Sequence, residues 1–391
     1  MLDLDRIRAD TPAAARRTYL HNAGAALMPV PVVDAMKRHI DLEAEIGGYA
    51  AAAAEAPRLD GVYHSVAHLL NAAPDEIALM ENATIAWQMA FYAQAFAPGD
   101  RILTAEAEYA ANYVAYLQVA KRTGVAIDVI PSDADGALDV AALERMIDAH
   151  VKLIAITWVP TNGGLTNPAV AVGRVARAHG IAYLLDACQA VGQMPVDVAA
   201  IGCDMLAATG RKFLRGPRGT GFLYVRKALI ERLEPPMIDH FAAPWVARDR
   251  YELRDDARRF ESWENNYAAR AGLGVAVDYA LDLGLDAIEA RCRLLADRLC
   301  AGLREIQGVK LRDLGRNPSA IVSFTIEGHE AAAVVASAGA AGITIGASQP
   351  SSTRLDAEAR GLPPVVRASP HYYNSEAEID RLVGFCAGLH P

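Results

Sequence analysis

From about residue 75 to 230 the chain alternates short apolar runs with stretches of helical spacing. Residues 101–104, 153–158, 182–186, 205–208 and 221–225 are apolar runs of strand length. Residues 138–150 and 168–179 carry their apolar positions three and four apart, the mark of helices between those strands. Such alternation predicts a mostly parallel sheet covered by helices on both faces. Ligands of such sheets bind beyond the carboxyl ends of the strands. After a charged stretch at 251–259 the pattern changes. Residues 268–283 and 285–306 predict long helices, 320–326 and 365–369 strands, and 330–341 and 376–389 helices. A smaller α+β unit is therefore expected to follow the α/β unit, with the division near residue 260.

The chain has 391 residues, 52 % of them apolar, enough for more than one sizeable core. Its net charge of −9 argues against nucleic acid or an anionic membrane as the main partner. No apolar run approaches the ~18 residues of a membrane span. The start, Met1 to Arg6, lacks the basic and apolar segments of a signal peptide. Five cysteines, an odd number without Cys-x-x-Cys spacing, suit a reducing cytoplasm.

Candidate chemistry collects at the ends of the predicted strands. Asp186 closes one apolar run, and Lys212 follows the next in Thr209-Gly210-Arg211-Lys212. A strand-end Asp and a strand-end Lys are the pair that pyridoxal phosphate requires. The amine forms a Schiff base with the cofactor aldehyde, and the carboxylate keeps the pyridine nitrogen protonated. Thr84 stands where Asn82-Ala83-Thr84 opens a helix, a position suited to a phosphate. Tyr109 follows a strand, where a ring can stack on a flat cofactor. Asn162 lies in the strand-to-helix loop 160–168, placed to bond the cofactor or a substrate carboxylate. Arg367 interrupts an apolar strand, and its guanidinium fork suits a carboxylate. His64 and His68 are four apart without a third ligand, which fits a helix face better than a metal site. Gly216 to Gly221 precedes a strand rather than opening a helix, so it is no dinucleotide fingerprint.

Together these residues resemble the class V aminotransferase family, in its cysteine desulfurase and isopenicillin-epimerase-like branch. The resemblance runs from His21-Asn22-Ala23-Gly24 to the last helix. It is most specific at Asp186-Ala187-Cys188-Gln189, Thr209 to Lys212, and Arg367 to Asn374. It implies the fold type I α/β architecture of PLP-dependent transferases, with a large domain built on a mostly parallel, seven-stranded sheet. The large domain is expected over 21–260, the small α+β domain over 261–391, and an N-terminal segment, 1–20, packing on the small one. It further implies Lys212 as the Schiff-base lysine, Asp186 at the pyridine nitrogen, Gln189 near the phenolic oxygen and Tyr109 over the ring. Ala83, Thr84, Thr209 and Arg211 match phosphate positions, and Arg367 and Asn22 substrate positions. The family is typically a homodimer whose partner completes each site.

Three departures bear on function. Residues 346–353, where desulfurases carry a nucleophilic Cys, contain none. The partner-supplied phosphate Thr is missing from 259–266, leaving Trp263 or Asn265 for that place. Tyr109 replaces the usual His. The expected reaction is therefore a Cα-carbanion β-elimination of the C–S lyase type, on a small amino-acid-like substrate and without a persulfide cysteine. Aminotransfer to a keto acid and epimerisation are the alternatives, and a PLP-binding sensor or scaffold is the non-enzyme alternative.

Overall fold

Seven strands form the central sheet of the computed structural model, which describes residues 2–389. Across the sheet they run Ile77–Met80, Gly221–Val225, Met205–Thr209, Ala182–Asp186, Val151–Thr157, Arg101–Ala105 and Ala126–Ile130. Only Gly221–Val225 is antiparallel to its neighbours. Successive strand residues face opposite sides, and both sides are buried. Leu153, Ala155, Leu184, Met205 and Ala207 face one helix layer; Ile154, Ile156, Leu185, Leu206 and Ala208 face the other. That explains the near-continuous apolar runs, which a half-exposed sheet would not show. Asp186 and Thr209 end adjacent strands, so the chemistry of two loops meets at one edge.

A second, four-stranded antiparallel sheet runs Val309–Leu311, Val322–Ile326, Val365–Ala368, Gly346–Ser348. Helices Leu285–Arg304 and Glu376–Ala387 cover it through Leu295, Leu299, Leu303, Ile379 and Leu382. Its register sets Gly346 opposite Arg367. The N-terminal segment joins this unit: Thr18–Tyr19 pairs in parallel with Ile343–Thr344, and His21 bridges to Ser369.

Several boundaries differ from those expected. The helix predicted over 138–150 spans only Val140–Met146. Arg101 explains its early end, because its Nη1 donates to the Met146 carbonyl at 3.0 Å and to Asp148 at 2.7 Å. The strand predicted from 320 begins at Val322. Ala320 and Ile321 instead join the large core, and the Ala320 N–H donates to Gln193 at 2.9 Å. Helix Tyr267–Leu283, which the sequence reading places in the smaller unit, packs on helices Val30–Ile46 and Ala56–Leu70. It sends Leu273, Val277 and Ala280 into the core beneath the large sheet. Among the described residues no helix is long and apolar enough to cross a membrane.

Candidate active site

Asp186 is buried where its strand stops. Its Oδ1 accepts from the Cys188 N–H at 3.0 Å, and its Oδ2 from Asn112 Nδ2 at 3.0 Å. The same Asn112 amide donates to Glu108 at 2.9 Å. Glu108 is itself buried and also accepts from Thr104, Thr157 and the Tyr109 N–H. Burial pushes the Glu108 carboxyl up to about 7, with the charge of Asp186 adding to the shift. The carboxylate at the strand end is thus held by an amide that a second carboxyl holds in turn.

Lys212 follows the neighbouring strand. Burial lowers its amine, Arg211 and Arg367 lower it further, and Cys188 and Asp186 oppose them. Tyr109 feels the same four groups, Asp186, Cys188, Arg211 and Arg367, and its phenol is raised chiefly by burial. Asp186, Cys188, Lys212, Tyr109, Arg211 and Arg367 therefore share one cleft between the two sheets. Arg367 is buried, with its Nη1 donating to Thr161 O at 2.8 Å and Thr161 Oγ1 at 2.6 Å. Burial lowers its guanidinium to about 10.

The phosphate end is built from a helix start. Asn82 caps helix Ala83–Tyr92 by accepting from the Ile85 N–H at 3.0 Å, leaving the first turn open at Ala83 and Thr84. Gly221 lets that turn approach, because a Cβ there would meet the Asn82 and Ala83 backbone. Thr209 is buried and donates to Thr220 O at 3.2 Å. Arg211 donates to Gly24 O, on the cleft side nearer Arg367.

Two expected ligands have other partners in the structure. Asn162 was expected to bond the cofactor or a carboxylate. Its Nδ2 donates to Gln349 O at 3.2 Å and Thr353 Oγ1 at 2.7 Å, and its Oδ1 accepts from Ser348. Both its donors are committed to the loop that lacks the cysteine, so it straps that loop to the large unit. Asn22 was expected to face the substrate. It is wholly buried, donating to Ser369 O at 2.7 Å and accepting from Tyr373 at 2.6 Å. Trp263 is exposed against His240, with its N–H on Asp239, and Asn265 donates to Trp263 O at 3.1 Å. Asn265 lines a small cleft with Glu81, Thr220 and Gly221. His64 and His68 are exposed on helix Ala56–Leu70.

Sequence reasoning missed Thr161, Glu108, Asn112 and His21. A signal was available for Thr161, beside Asn162, and for Asn112, three residues after Tyr109; Glu108, beside Tyr109, looks like any solvated Glu. His21 carried only the expectation attached to its neighbour.

Polar atoms left over in this cleft fit a cofactor and its substrate. Gln189 donates to Ala23 O at 3.1 Å, but its Oε1 is buried without a protein partner, as are Arg367 Nε and His21 Nδ1. Such atoms are costly unless a bound molecule satisfies them. A low-basicity lysine, a clamped carboxylate and an open helix start, at one edge of an α/β sheet, define an enzyme of the PLP-dependent fold type I class.

The comparisons agree. The chain belongs to the aminotransferase class-V family, whose model matches residues 18–382. A probable cysteine desulfurase of Methanothermobacter thermautotrophicus is 31% identical, with 96% of this chain and 95% of that protein aligned. The apo cysteine desulfurase of Thermococcus onnurineus superposes with a TM-score of 0.93 at 27% identity, over 100% of this chain and 98% of that one. A C-DES variant with glycine covalently linked to its PLP cofactor shares the fold, with a TM-score of 0.88 at 22% identity over 97% and 98% of the chains. The cofactor is pyridoxal 5'-phosphate.

Proposed function

We propose that this enzyme eliminates a sulfur substituent from the β-carbon of a small amino acid, releasing a thiol without a persulfide on the protein. The observation that carries the reading is the loop at 346–353. It has no cysteine, begins in a strand at Gly346–Ser348, and is strapped through Ser348, Gln349 and Thr353 to Asn162. The remaining thiols offer no substitute. Cys203, Cys292 and Cys386 are buried, Cys300 lies on a helix of the smaller unit, and burial and Asp186 raise the Cys188 thiol.

Bound PLP supplies an electron sink for the pair released at the substrate Cα. Asp186 is suited to hold a proton on the pyridine nitrogen, with Asn112 and Glu108 fixing its direction. The first turn at Ala83 and Thr84, with Thr209, offers donors to the phosphate. Arg367 offers its fork to the substrate carboxylate. Burial lowers the Lys212 amine, which favours the neutral form that takes the Cα proton. The partners that fit are a small amino-acid-like substrate and a second copy of the chain. That copy would bring Trp263 or Asn265 toward the phosphate end. Free cysteines suit a reducing, cytoplasmic setting.

A panel of amino acids tests the reaction. Pyruvate and ammonia from an S-substituted cysteine, with no keto acid present, is the expected result. Turnover that depends strictly on a keto-acid acceptor makes the enzyme an aminotransferase instead.

A further inference from the structure

We propose that His21 is the acid–base group that protonates the departing sulfur, standing where the loop lacks its cysteine. The proposal rests on the elimination reading above and assigns the one proton that reading leaves unplaced.

The turn that carries His21 is pinned from both sides of the cleft. On the large unit, Gln189 donates to Ala23 O at 3.1 Å, Arg211 donates to Gly24 O, and the Ala26 N–H donates to Arg211 O at 2.8 Å. On the small unit, the Ala23 N–H donates to Ser369 Oγ at 2.9 Å, and Leu20 pairs with Thr344 and Ser369. Two of the contacts to this turn come from Gln189 and Arg211, themselves candidate site residues. Its side chain is made room for by glycines. A Cβ at Gly24 would overlap the imidazole, and so would one at Gly346. Gly346 is the first residue of the loop strand and pairs directly with Arg367. The ring therefore lies on the loop, next to the arginine suited to the substrate carboxylate.

Its chemistry suits the task. Nδ1 is buried without a protein partner. Burial, Arg367 and Arg211 lower the imidazole to about 4 when nothing opposes those guanidiniums. A substrate carboxylate on Arg367 places an anion against that cation, which raises the imidazole toward its ordinary range. A larger fraction of the ring then carries a proton when the site is loaded than when it is empty. Other acids are poorly suited: burial raises the Tyr109 phenol and makes it a weaker acid, and Lys212 is occupied at Cα.

The step balances without an oxidant or reductant. Lys212 takes the Cα proton, and the Cα–H pair ends as the Cα–Cβ double bond. The Cβ–S bond breaks with its pair on sulfur, and that sulfur takes a proton from His21. Lys212 gives up the proton it took, and solvent passes one to the imidazole, so both groups return to their starting states.

Leaving groups separate this role from a structural one. Chloride needs no proton, whereas an alkyl thiolate does. In the holoenzyme, His21→Asn is expected to slow elimination from S-methylcysteine by ~10²–10⁴-fold. Elimination from β-chloroalanine should stay within a few-fold of wild type. Equal losses on both substrates, or no loss on either, overturn the assignment while leaving the elimination reading intact. A wild type that eliminates from neither substrate overturns the reading itself. The visible absorbance of the bound cofactor reports whether the variant folds and loads, and His21→Gln serves if His21→Asn does not. An independent readout is the ¹⁵N shift of the His21 ring, assigned by its loss in the variant. Its titration should move to higher pH when alanine, which has no leaving group, fills the site; an unmoved titration counts against the proposal.

Discussion

Lys212 illustrates how surroundings change a residue's chemistry. As a free side chain it is a cation; in this cleft, burial and two arginines favour the neutral amine. Lys212→Ala is expected to remove the cofactor's lysine-linked visible band and to cut kcat by ~10²–10⁴-fold. An unchanged spectrum would show that another amine holds the cofactor. Glu108 makes a pH prediction with a definite sign. Its folded carboxyl sits at about 7, above its ordinary value of 4.5. Between those values the folded chain holds more protons than the unfolded one, so this group's contribution to stability falls as pH rises through that window. Glu108→Gln should flatten that fall, seen as urea midpoints across the window. Parallel curves for variant and wild type would mean that Glu108 does not titrate there. Asp186 and Lys212 were legible in sequence because each ends an apolar run. Glu108 was not, because a lone Glu beside a Tyr looks solvated until Thr104, Asn112 and Thr157 are seen around it.

At the scale of elements, the buried strands were the legible part. Runs such as 182–186 and 221–225 are apolar throughout because both sheet faces are covered. The strands Ile77–Met80 and Ala126–Ile130 escaped. The first has four residues; the second lies at the edge, where Asp128 breaks the apolar run. Helix ends escaped where a distant side chain decides them, as Arg101 does at Met146. The loop at 346–353 depends on such a distant partner too. Asn162→Ala removes two donors and one acceptor from it. We expect that variant to raise KM more than it lowers kcat, together with faster proteolytic cleavage in the loop. A wild-type cleavage rate would show that the strap is dispensable.

For the whole molecule, Arg215 joins distant pieces of chain. It is buried three residues after Lys212, at a backbone φ of 61°. It donates to Thr11 Oγ1 at 2.6 Å, Leu27 O at 2.8 Å and the Tyr372 hydroxyl at 2.9 Å, and lies over the rings of Tyr372 and Tyr373. Arg215→Met strips two buried hydroxyls and the part-buried Leu27 carbonyl of their donor and should cost about 2–4 kcal/mol. The urea midpoint measures this, and a change under about 0.5 kcal/mol, the usual range of surface changes, would contradict it. The position of helix Tyr267–Leu283 could not be read from its own residues, because its apolar face fits either core. Only the facing helices Val30–Ile46 and Ala56–Leu70 settle which core takes it.

The pairing of Gly346 with Arg367 has a consequence for how such enzymes diversify. In the proposed reaction, bond labilisation falls to Asp186 and Lys212, carried by one sheet. Grip on the carboxylate and the surroundings of the side chain fall in that reaction to Arg367, Gly346 and the turn at His21, aligned with the other. A lineage can therefore exchange one leaving group for another by rewriting a few residues around a single ladder pair. The machinery that opens the Cα–H bond need not be touched.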